Sequence, residues 1–594
     1  MMKHLSTIVF ALILLAGLFT FDQYGESWDD RSLQKYAELS MQAYATWPRQ
    51  GFVEADPQNL AFYGPFFISF TAVTSNFLSA FLPIHIADLR HLIYFLTWFA
   101  GIAAFYSIAK RFASRIPALG ATLLFATQPL IWGHAFINPK DTPFLSLFLL
   151  SLSSGMNAFD KLEPNPPIDL SPRSKRILAL LNMVWLVSVF SLFIFTENIH
   201  TYVQTLVLSA QSGNTNILSL IAKNITGISA ETYTQRYFVL FLQLRTFYFL
   251  LSTLALLFAW RKLNYQLPTT LATILPSATI LGLTASTRIL GPYAGLLVML
   301  YALRFRGKSA LTPLTIYAIV AMIATYLTWP YLWMNPIGHF FGSFREMASY
   351  PWYGEVLFNG GKYLADDLPF SYLPILFSIQ LTEPAWILAA IGFIIIVKEF
   401  AQKKDLLILF LLWFLLPTLL FIFLHISLYD NFRQILFVLP PIFLLAGLSF
   451  ERIKGIQWQI VTIGLTLIPG LTALINLHPY QYIYYNSFVG GVGSVQGRFE
   501  TDYWLTSYRE AAEYLNENAP PDSIIWVEGP GHLYSIFAKE EENVYSWSRL
   551  EPPEPIDYIV VTTRYDFDKT VYPQAETIHT ISRGNADLAV IKKP

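Results

Sequence analysis

The sequence predicts an all-α polytopic membrane protein with a small α/β domain at its C-terminal end. Of the 594 residues, 54% are hydrophobic and only 13% are charged, whereas soluble domains carry about 25% charged residues. Aromatic residues reach 16%, which is typical of a protein with many rings at the membrane surface. The net charge of −1 gives no electrostatic reason to expect nucleic acid binding. The absence of cysteine excludes disulfides and thiolate metal sites.

Apolar segments recur along most of the chain, and basic clusters separate them. A membrane-spanning helix needs about 20 apolar residues, and Lys and Arg favour the cytoplasmic side. Basic clusters end apolar segments at 110–115, 161–176, 261–262, 304–308, 398–404 and 452–454. The predicted spans are 5–21, 91–109, 117–136, 143–159, 177–196, 237–260, 267–285, 289–304, 311–329, 384–398, 405–424, 433–450 and 457–476. These make about thirteen helices, with the C-terminus outside the cytoplasm.

Two apolar segments, the first one and 63–83, are compatible with more than one interpretation. The first apolar run follows a basic start and lacks a small-x-small cleavage site, so we interpret it as a retained anchor rather than a cleaved signal peptide. Residues 63–83 are long enough to span the membrane. If they did, every later basic cluster would fall outside the cytoplasm. We therefore predict that 63–83 form a helix lying along or dipping into the outer surface.

The predicted domains follow from the change of composition near residue 477. Residues 1–476 form the membrane domain, whose first outer loop, 22–90, carries surface helices. Residues 477–499 are rich in Tyr and Gly and are predicted to be a linker. Residues 500–594 contain one amphipathic helical pattern and several strand patterns, "SIIWVEG", "DYIVVTTR" and a final hairpin. They predict an extracytoplasmic α/β domain.

Acidic residues mark two candidate sites in outer loops. Asp29 and Asp30 follow the first apolar segment in "WDDRSLQKYAE". They suit a general base or a metal ligand, or alternatively a helix N-cap. Asn138, Lys140 and Asp141 lie in "WGHAFINPKDTPF", a short loop between two apolar segments. Its side chains are held close to the membrane face, although a plain turn with Asn138 and Asp141 as caps is equally compatible.

Cationic residues form a third candidate set. Arg288 and Arg433 stand at the outer ends of apolar segments, Arg245 lies within one, and Lys362 lies in the third outer loop. Several cations on the outer face suit a phosphate or pyrophosphate ligand. Snorkelling to lipid headgroups is the alternative for each. The Tyr-rich stretch 478–504 is explained equally well by an aromatic belt, and its "GGVG" alone is no nucleotide loop.

The order and spacing of these features resemble the membrane-embedded glycosyltransferases of the GT-C class, family 39. This family is dolichyl-phosphate-mannose protein mannosyltransferase-like and includes bacterial aminoarabinose transferases that act on lipid A. The resemblance covers about residues 5–476. It rests on the acidic pair in "WDDRSLQKYAE", the surface helix with Pro65 near its start, Asp141, and the arginine of "NFRQILFVLPP". One departure is Gly64, because aminoarabinose transferases place a lysine before that proline. This weakens aminoarabinose as the sugar.

The resemblance implies a polyprenyl-phosphate sugar donor, an extracytoplasmic acceptor that is a lipid, glycan or protein, and inverting transfer of a hexosyl or pentosyl group. It implies that Asp29 is the general base, that Asp30 supports it or binds metal, and that Asp141 completes the acidic site. Arg288 and Arg433 would neutralise the donor phosphate, with Lys362 and Arg245 as further candidates and Lys140 and Asn138 as other loop candidates. A divalent metal, Mg²⁺ or Mn²⁺, held by Asp30 and Asp141 stays open.

The same resemblance implies a multi-pass protein of the inner or plasma membrane, in contact with membrane lipids, whose active site faces outward. Three other classes compete with it. A transporter would place ionisable residues near the bilayer midplane and show internal pseudo-symmetry, which the sequence lacks. A lipid-linked glycan ligase or polymerase would share the phosphate site but lack the early acidic pair. A structural scaffold would not need acidic loop residues.

Overall fold

The computed structural model of the protein describes residues 4–50, 60–162, 171–218, 227–263, 269–350, 352–547 and 555–594. Parts of the predicted outer loops, 51–59 and 219–226, lie outside the described residues, as does the beginning of the predicted span 267–285. Contacts divide the chain into two compact units. The first comprises Met1–Gln34, Phe70–Ser153 and Ala348–Pro594, and the second comprises Lys35–Ser69 and Ser154–Met347.

Helices occupy most of the described chain as far as residue 476, as the apolar segments predict. The helices up to residue 262 are Leu5–Leu18, Asp30–Gln50, Phe66–Ser79, Ile86–Ala109, Arg115–Ala126, Pro129–Ile137, Asp141–Lys161, Pro172–Ile194, Thr196–Gln211 and Ala230–Lys262. The later ones are Thr269–Ala285, Pro292–Arg306, Leu311–Thr328, Pro336–Ala348, Tyr372–Gln380, Glu383–Lys398, Phe400–Phe410, Leu416–Phe423, Pro440–Glu451 and Ile456–Asn476. The predicted all-α polytopic membrane class is confirmed.

The number of membrane crossings depends on how bent helices are counted. Among the described residues, eight helices are long and apolar enough to span a membrane, and up to ten if each of two bent pairs is one span. Each of the thirteen predicted segments coincides with a helix or a bent pair. Pro292–Thr328 contains two of the predicted segments, and two others fall on shorter apolar helices. The full number of crossings and their orientation stay predictions.

The helix at Phe66–Ser79 falls within the segment that we predicted to lie on the outer surface. It has 14 residues, which give a length of about 21 Å at 1.5 Å per residue. The hydrocarbon core is about 30 Å thick and needs about 20 residues to cross it. This length supports a surface or re-entrant position, which stays a prediction.

Two bent helix pairs meet at their breaks within the first unit. Arg115–Ala126 and Pro129–Ile137 are bent by 64°, and Tyr372–Gln380 and Glu383–Lys398 by 111°. The amide of Gln128, at the first break, donates to Thr382 Oγ1 at 2.9 Å and accepts from Thr382 N at 3.0 Å. Both residues are buried. The side chain of Gln128 therefore gives a partner to the backbone N–H of Thr382, which lies at the break of the other helix pair.

The C-terminal residues form the α/β domain that the strand patterns predict. Its five strands form one sheet, in the order Asn543–Ser546, Ile524–Val527, Tyr558–Thr562, Ala586–Lys593 and Glu576–Arg583. The strands are β3 Ile524–Val527, β4 Asn543–Ser546, β5 Tyr558–Thr562, β6 Glu576–Arg583 and β7 Ala586–Lys593, and the helices are Tyr508–Asn518, His532–Ser535 and Phe567–Thr570. The β6–β7 hairpin turns at Gly584 and Asn585, both at positive φ, as a tight two-residue turn requires. An earlier hairpin, β1 Val356–Phe358 and β2 Gly361–Tyr363, was not predicted.

The segment predicted as a linker, 477–499, is well packed over its first half. Tyr480, Tyr482 and Tyr485 are buried. Its close approach to the helix Pro129–Ile137 depends on Gly133, where a Cβ atom would lie 2.4 Å from the backbone N of Tyr482. The C-terminal domain therefore continues directly from a buried, hydrogen-bonded chain.

Candidate active site

Three predicted site residues, all in the first unit, stand at the beginnings of separate helical elements. Asp29 directly precedes the helix Asp30–Gln50, and Asp141 begins the helix Asp141–Lys161. Arg433 begins the 3-10 segment Arg433–Val438. Prolines begin the next helix, and Arg433 itself is buried.

The structure brings four of the predicted residues together. Lys140 Nζ lies 2.8 Å from Asp29 Oδ2. Arg433 Nη2 lies 3.8 Å from the same oxygen, and Arg433 Nη1 lies 2.9 Å from Asp141 Oδ2. The exposed fraction of the side chain falls from 29% at Asp29 to 11% at Lys140 and 2% at Arg433. Asp29 is therefore the outermost carboxylate of an otherwise buried ionic network.

Asn138 provides the helix cap that sequence reasoning considered for this loop. Its Oδ1 accepts from Asp141 N at 2.7 Å and from Lys140 N at 3.0 Å. Its Nδ2 donates to Asp141 Oδ2 at 3.1 Å. Because Asn138 satisfies the first backbone N–H groups of the helix, the carboxylate of Asp141 is available to bind Arg433.

Arg433 lies among groups that fix its orientation. Besides Asp141, it contacts Asp430 at 3.1 Å. The guanidinium lies over the rings of Tyr429 and Trp504, 5.0 and 4.9 Å from their centroids. A planar guanidinium held by two carboxylates and two rings has little rotational freedom.

Asp29 and Asp30 belong to different networks despite being adjacent. Asp30 accepts from Ser27 Oγ at 2.7 Å and from Tyr94 Oη at 2.9 Å. Glu26 lies in the same cluster and is ion-paired with Arg90. Neither Asp29 nor Asp30 directs its carboxylate to the helix N-terminus in these contacts. The N-cap alternative therefore does not account for the pair.

The two carboxyl groups have opposite pKa directions. Burial alone would raise the pKa of Asp29, but Lys140 and Arg433 hold the pKa of that carboxyl below its ordinary value. Burial raises the pKa of Asp30, although Arg90 and Ser27 counteract it. Burial and the neighbouring Asp30 raise the pKa of Glu26 to about 8. Asp29 is consequently ionised at neutral pH, whereas Asp30 and Glu26 retain protons more readily.

The other predicted cations lie elsewhere. Lys362, in β2, is ion-paired with Glu355 at 3.1 Å, and both side chains are about half exposed. Arg245 and Arg288 belong to the second unit. Arg245 is buried and donates to Thr196 Oγ1 at 2.9 Å and to the carbonyl of Trp333. The predicted phosphate roles of these three residues stay predictions.

Sequence reasoning missed three charged residues that extend the network into the C-terminal domain. Arg564 Nη2 lies 2.7 Å from Asp430 Oδ1, and Arg564 Nε lies 3.5 Å from Glu500 Oε2. Asp430 and Asn431 are both at positive φ, an uncommon conformation for residues other than glycine. Asp430 stands three residues before Arg433, and this spacing could have identified it as a partner of the arginine. Arg564 carried none, because its position depends on the fold of the C-terminal sheet.

The residues considered for a divalent metal do not converge. Asp30 is bonded to Ser27 and Tyr94, whereas Asp141 is bonded to Asn138 and Arg433. The part of the chain that the structure describes contains no group of three or more His, Cys, Asp or Glu residues arranged to hold a metal ion. Arg433 already occupies the position that a divalent ion would take beside Asp141, and hydroxyl groups of Ser27 and Tyr94 already donate to Asp30. A metal requirement stays a prediction.

Close packing gives a physical reason why position 64 is glycine and not the lysine of the aminoarabinose transferases. A Cβ atom at Gly64 would lie 2.2 Å from the backbone carbonyl of Ser286. Phe66 N donates to that carbonyl at 2.9 Å. A lysine at position 64 would therefore separate two segments that are hydrogen-bonded in this protein.

The fold and the ionic network define a multi-pass membrane protein with a buried charged site in the first unit. No family model matches the sequence, and no curated protein matches it. Solved structures are similar in overall fold. The chain is similar to ArnT from Cupriavidus metallidurans in the apo state, with 13% identity and a TM-score of 0.45 over 99% of this chain and 97% of that chain. For the same protein bound to undecaprenyl phosphate, the values are 12% and 0.44 over the same shares.

A second similar structure is the archaeal oligosaccharyltransferase AglB from Archaeoglobus fulgidus, in complex with an inhibitory peptide and a dolichol-phosphate. The identity is 11% and the TM-score is 0.36, over 94% of this chain and 69% of that chain. All three TM-scores are below 0.5.

Proposed function

We propose that this protein is a membrane glycosyltransferase that moves a sugar from a polyprenyl-phosphate donor to a hydroxyl group of an acceptor outside the cytoplasm. The observation that carries the proposal is the position of Asp29. It is the outermost carboxylate of the network, it is ionised, and it lies beside a lysine and an arginine. A proton acceptor next to cations is what an inverting transfer from a phosphate ester needs.

The reaction forms one bond and breaks one. The acceptor oxygen attacks the anomeric carbon of the donor from the face opposite the phosphate, and the bond between that carbon and the phosphate oxygen breaks. Asp29 accepts the hydroxyl proton as the new glycosidic bond forms. Polyprenyl phosphate leaves with the electron pair and one additional negative charge. Inversion at the anomeric carbon follows from this single displacement.

Lys140 is the cation best placed to receive the donor phosphate. It is more exposed than Arg433, and its flexible stem allows its ammonium to move from Asp29 to a phosphate oxygen. When Lys140 shifts to the phosphate, Asp29 loses part of the interaction that lowers its pKa, and it becomes a stronger base. The donor would thereby activate the base that its own reaction requires.

Arg433 is better suited to holding the site than to entering it. It is almost fully buried and already contacts Asp141 and Asp430. Removing one partner of a buried charge pair leaves an uncompensated charge. We assign Arg433 the role of fixing Asp141 and the field around Asp29, with a long-range contribution to neutralising the leaving phosphate.

A lipid-linked donor also needs an apolar surface. The second unit contains a cavity of about 620 Å³ between membrane helices, lined by apolar side chains such as Leu296, Met299, Phe340 and Phe341. Its chemistry suits an isoprenoid chain. The proposed setting is the inner or plasma membrane, with the site facing away from the cytoplasm, where such donors are presented.

The proposal is tested in the organism by deleting the gene and comparing cell-envelope glycans by mass spectrometry. We expect one envelope component to lose a mass that corresponds to a hexosyl or pentosyl residue. Expression of the wild-type chain should restore it, and expression of the Asp29→Asn variant should not. An unchanged set of envelope glycans in the deletion strain, together with an unchanged polyprenyl-phosphate sugar pool, would contradict the proposal.

A further inference from the structure

A second cavity lies beside the ionic network, between the β1–β2 hairpin, the segment 496–501 and the C-terminal domain. Its volume is about 340 Å³, which falls in the ~300–1,000 Å³ range of small-molecule sites. The hairpin is fixed to the neighbouring segment, because Leu357 N donates to Glu500 Oε1 at 2.9 Å and Gly360 N donates to the carbonyl of Arg498 at 2.9 Å. The cavity therefore has defined walls.

The lining of this cavity excludes a phosphate as its natural ligand. It contains five carboxylates and three cations, which are Glu355, Glu500, Asp566, Asp568, Asp587, Lys362, Arg564 and Lys569. All three cations already have carboxylate partners. Lys362 pairs with Glu355 at 3.1 Å and Lys569 with Asp566 at 2.7 Å. Arg564 pairs with Asp430 at 2.7 Å. An excess of acceptor oxygens around a cavity favours a ligand that donates many hydrogen bonds.

Arg564 and Tyr565 give the cavity two further recognition features. Arg564 is nine-tenths buried, and its guanidinium donates to Asp430 and to the carbonyl of Tyr503. Its Nε lies 3.5 Å from Glu500 Oε2, so Arg564 fixes that carboxylate in the cavity lining. Tyr565 presents an aromatic ring in the lining, and both Tyr565 and Asp566 hold a left-handed backbone conformation. Carboxylates, a guanidinium and a ring together suit a sugar, which has hydroxyl groups at its edge and an apolar face.

The cavity is connected to the proposed catalytic site through charged contacts. Arg564 contacts Asp430 at 2.7 Å, and Asp430 contacts Arg433 at 3.1 Å. Arg433 in turn lies 3.8 Å from Asp29. A ligand in contact with Arg564 would thus be connected, through Asp430 and Arg433, to the proposed base Asp29.

We propose that this cavity is the acceptor subsite and that it binds an uncharged or amino-bearing sugar unit, so that the acceptor is a glycan or a glycolipid. This inference rests on the proposed glycosyltransferase function. The C-terminal domain then has a direct role, because it supplies Arg564, Tyr565 and the acidic wall. The sugar held there directs its chain, and the hydroxyl to be modified, towards Asp29.

The test uses the absence of cysteine from the chain. A single Lys569→Cys substitution on the cavity wall is coupled to a maleimide-polyethylene glycol after purification of the folded, full-length protein. Glu540→Cys, an exposed position of the same domain outside the cavity lining, is labelled as the matched control. Two activities are measured with a radiolabelled polyprenyl-phosphate sugar. One is hydrolysis, with water as the acceptor, and the other is transfer to an envelope extract from the deletion strain.

We expect the label at position 569 to reduce transfer about tenfold or more, because it displaces the charge-assisted hydrogen bonds of the acceptor. Hydrolysis should change less than about twofold, since the donor site stays open. The label at position 540 should change neither. Undiminished transfer by the protein labelled at position 569 would overturn the acceptor assignment and leave the proposed function intact. Equal loss of hydrolysis and transfer would also overturn it, because the cavity would then belong to the donor. Wild-type protein that performs neither reaction would contradict the proposed function itself.

Discussion

At the scale of single residues, the site depends on which carboxylate keeps its charge. Asp29 and Asp30 are identical side chains and neighbours in sequence, but Lys140 and Arg433 surround one, and burial dominates the other. Environment therefore gives the two carboxyl groups different protonation behaviour, as in enzymes that use a pair of carboxyl groups. The sequence showed the pair, but the assignment of the charged member required Lys140, which lies far along the chain.

Substitution of Lys140 by alanine should move the pH dependence of the reaction. Without the ammonium, Asp29 loses the largest stabilisation of its charged form, so its pKa rises. The acidic limb of the kcat/KM profile should then lie at higher pH in Lys140→Ala than in the wild type. The exposed Lys35→Ala variant is the control. Superimposable acidic limbs for Lys140→Ala and wild type would remove Asp29 as the titrating base.

The same ion pair has a stability signature with a defined sign. The pKa of Asp29 is lower in the folded than in the unfolded chain, so the pair contributes stability above the ordinary carboxyl pKa of about 3.9. This contribution is lost as the pH falls through the folded pKa. Thermal unfolding of the wild type and Asp29→Asn should therefore differ at neutral pH and converge at acidic pH. A difference that is constant over this range would contradict the assignment.

At the scale of elements, breaks in helices and close contacts between backbone segments position the residues of the site. The helices Arg115–Ala126 and Pro129–Ile137 were predicted as one straight span, because periodicity does not show a 64° bend. The bend at Gln128 becomes interpretable only with Thr382 beside it. The spans and the final hairpin were predictable from local patterns, whereas β1–β2 was not, since three-residue strands leave almost no signal.

Gly133→Ala tests the packing of the segment that leads into the C-terminal domain. The new methyl group would meet the backbone of Tyr482, which has no flexible atom to yield. Overpacking of this kind costs ~1–3 kcal/mol, so the midpoint of thermal unfolding in detergent should fall. Gly464→Ala is the matched control, because nothing lies within 4 Å of its Cβ position. There the change should be neutral or stabilising by up to ~1 kcal/mol. Equal midpoints for the two variants would show that the approach at Gly133 is not tight.

At the scale of the whole molecule, composition predicted the class, and alternating basic clusters predicted the orientation. The class is confirmed by the helices and the C-terminal sheet. Orientation cannot be read from helices alone, because a bundle has the same internal contacts in either direction across a bilayer. Asp29, Lys140, Asp141 and Arg433 lie together, so the loops that carry them lie on the same side in either orientation.

The orientation is checked with reporters fused after Pro594. We expect alkaline phosphatase, which requires an extracytoplasmic position, to be active there, and a fluorescent protein that matures only in the cytoplasm to stay dark. Fusions within the basic loop at 398–404 should give the opposite result. An active cytoplasmic reporter after Pro594 would overturn the predicted topology.

The position of 63–83 is a separate prediction of the same topology. Single cysteines at Tyr63 and Phe81 should both react with a membrane-impermeant maleimide added from outside intact cells, since this segment is expected not to cross the bilayer. Cysteines at the basic loop 304–308 should react only after permeabilisation. Opposite accessibility at positions 63 and 81 would show that the segment crosses the bilayer. Every later loop would then lie on the side opposite to the predicted one.

The central claim is that Asp29 is the general base of a polyprenyl-phosphate-dependent transfer, and turnover by purified protein tests it most directly. Release of polyprenyl phosphate from the donor is measured for the wild type, Asp29→Asn, Asp30→Asn, Asp141→Asn and the exposed control Asp22→Asn, with thermal stability recorded in parallel. An amide cannot accept the proton, so Asp29→Asn should lose about 10²–10⁴-fold in kcat. Asp30→Asn should lose less, and Asp22→Asn should match the wild type. Wild-type turnover by a folded Asp29→Asn protein would contradict the claim, and a larger loss at Asp30 or Asp141 than at Asp29 would move the base to that residue.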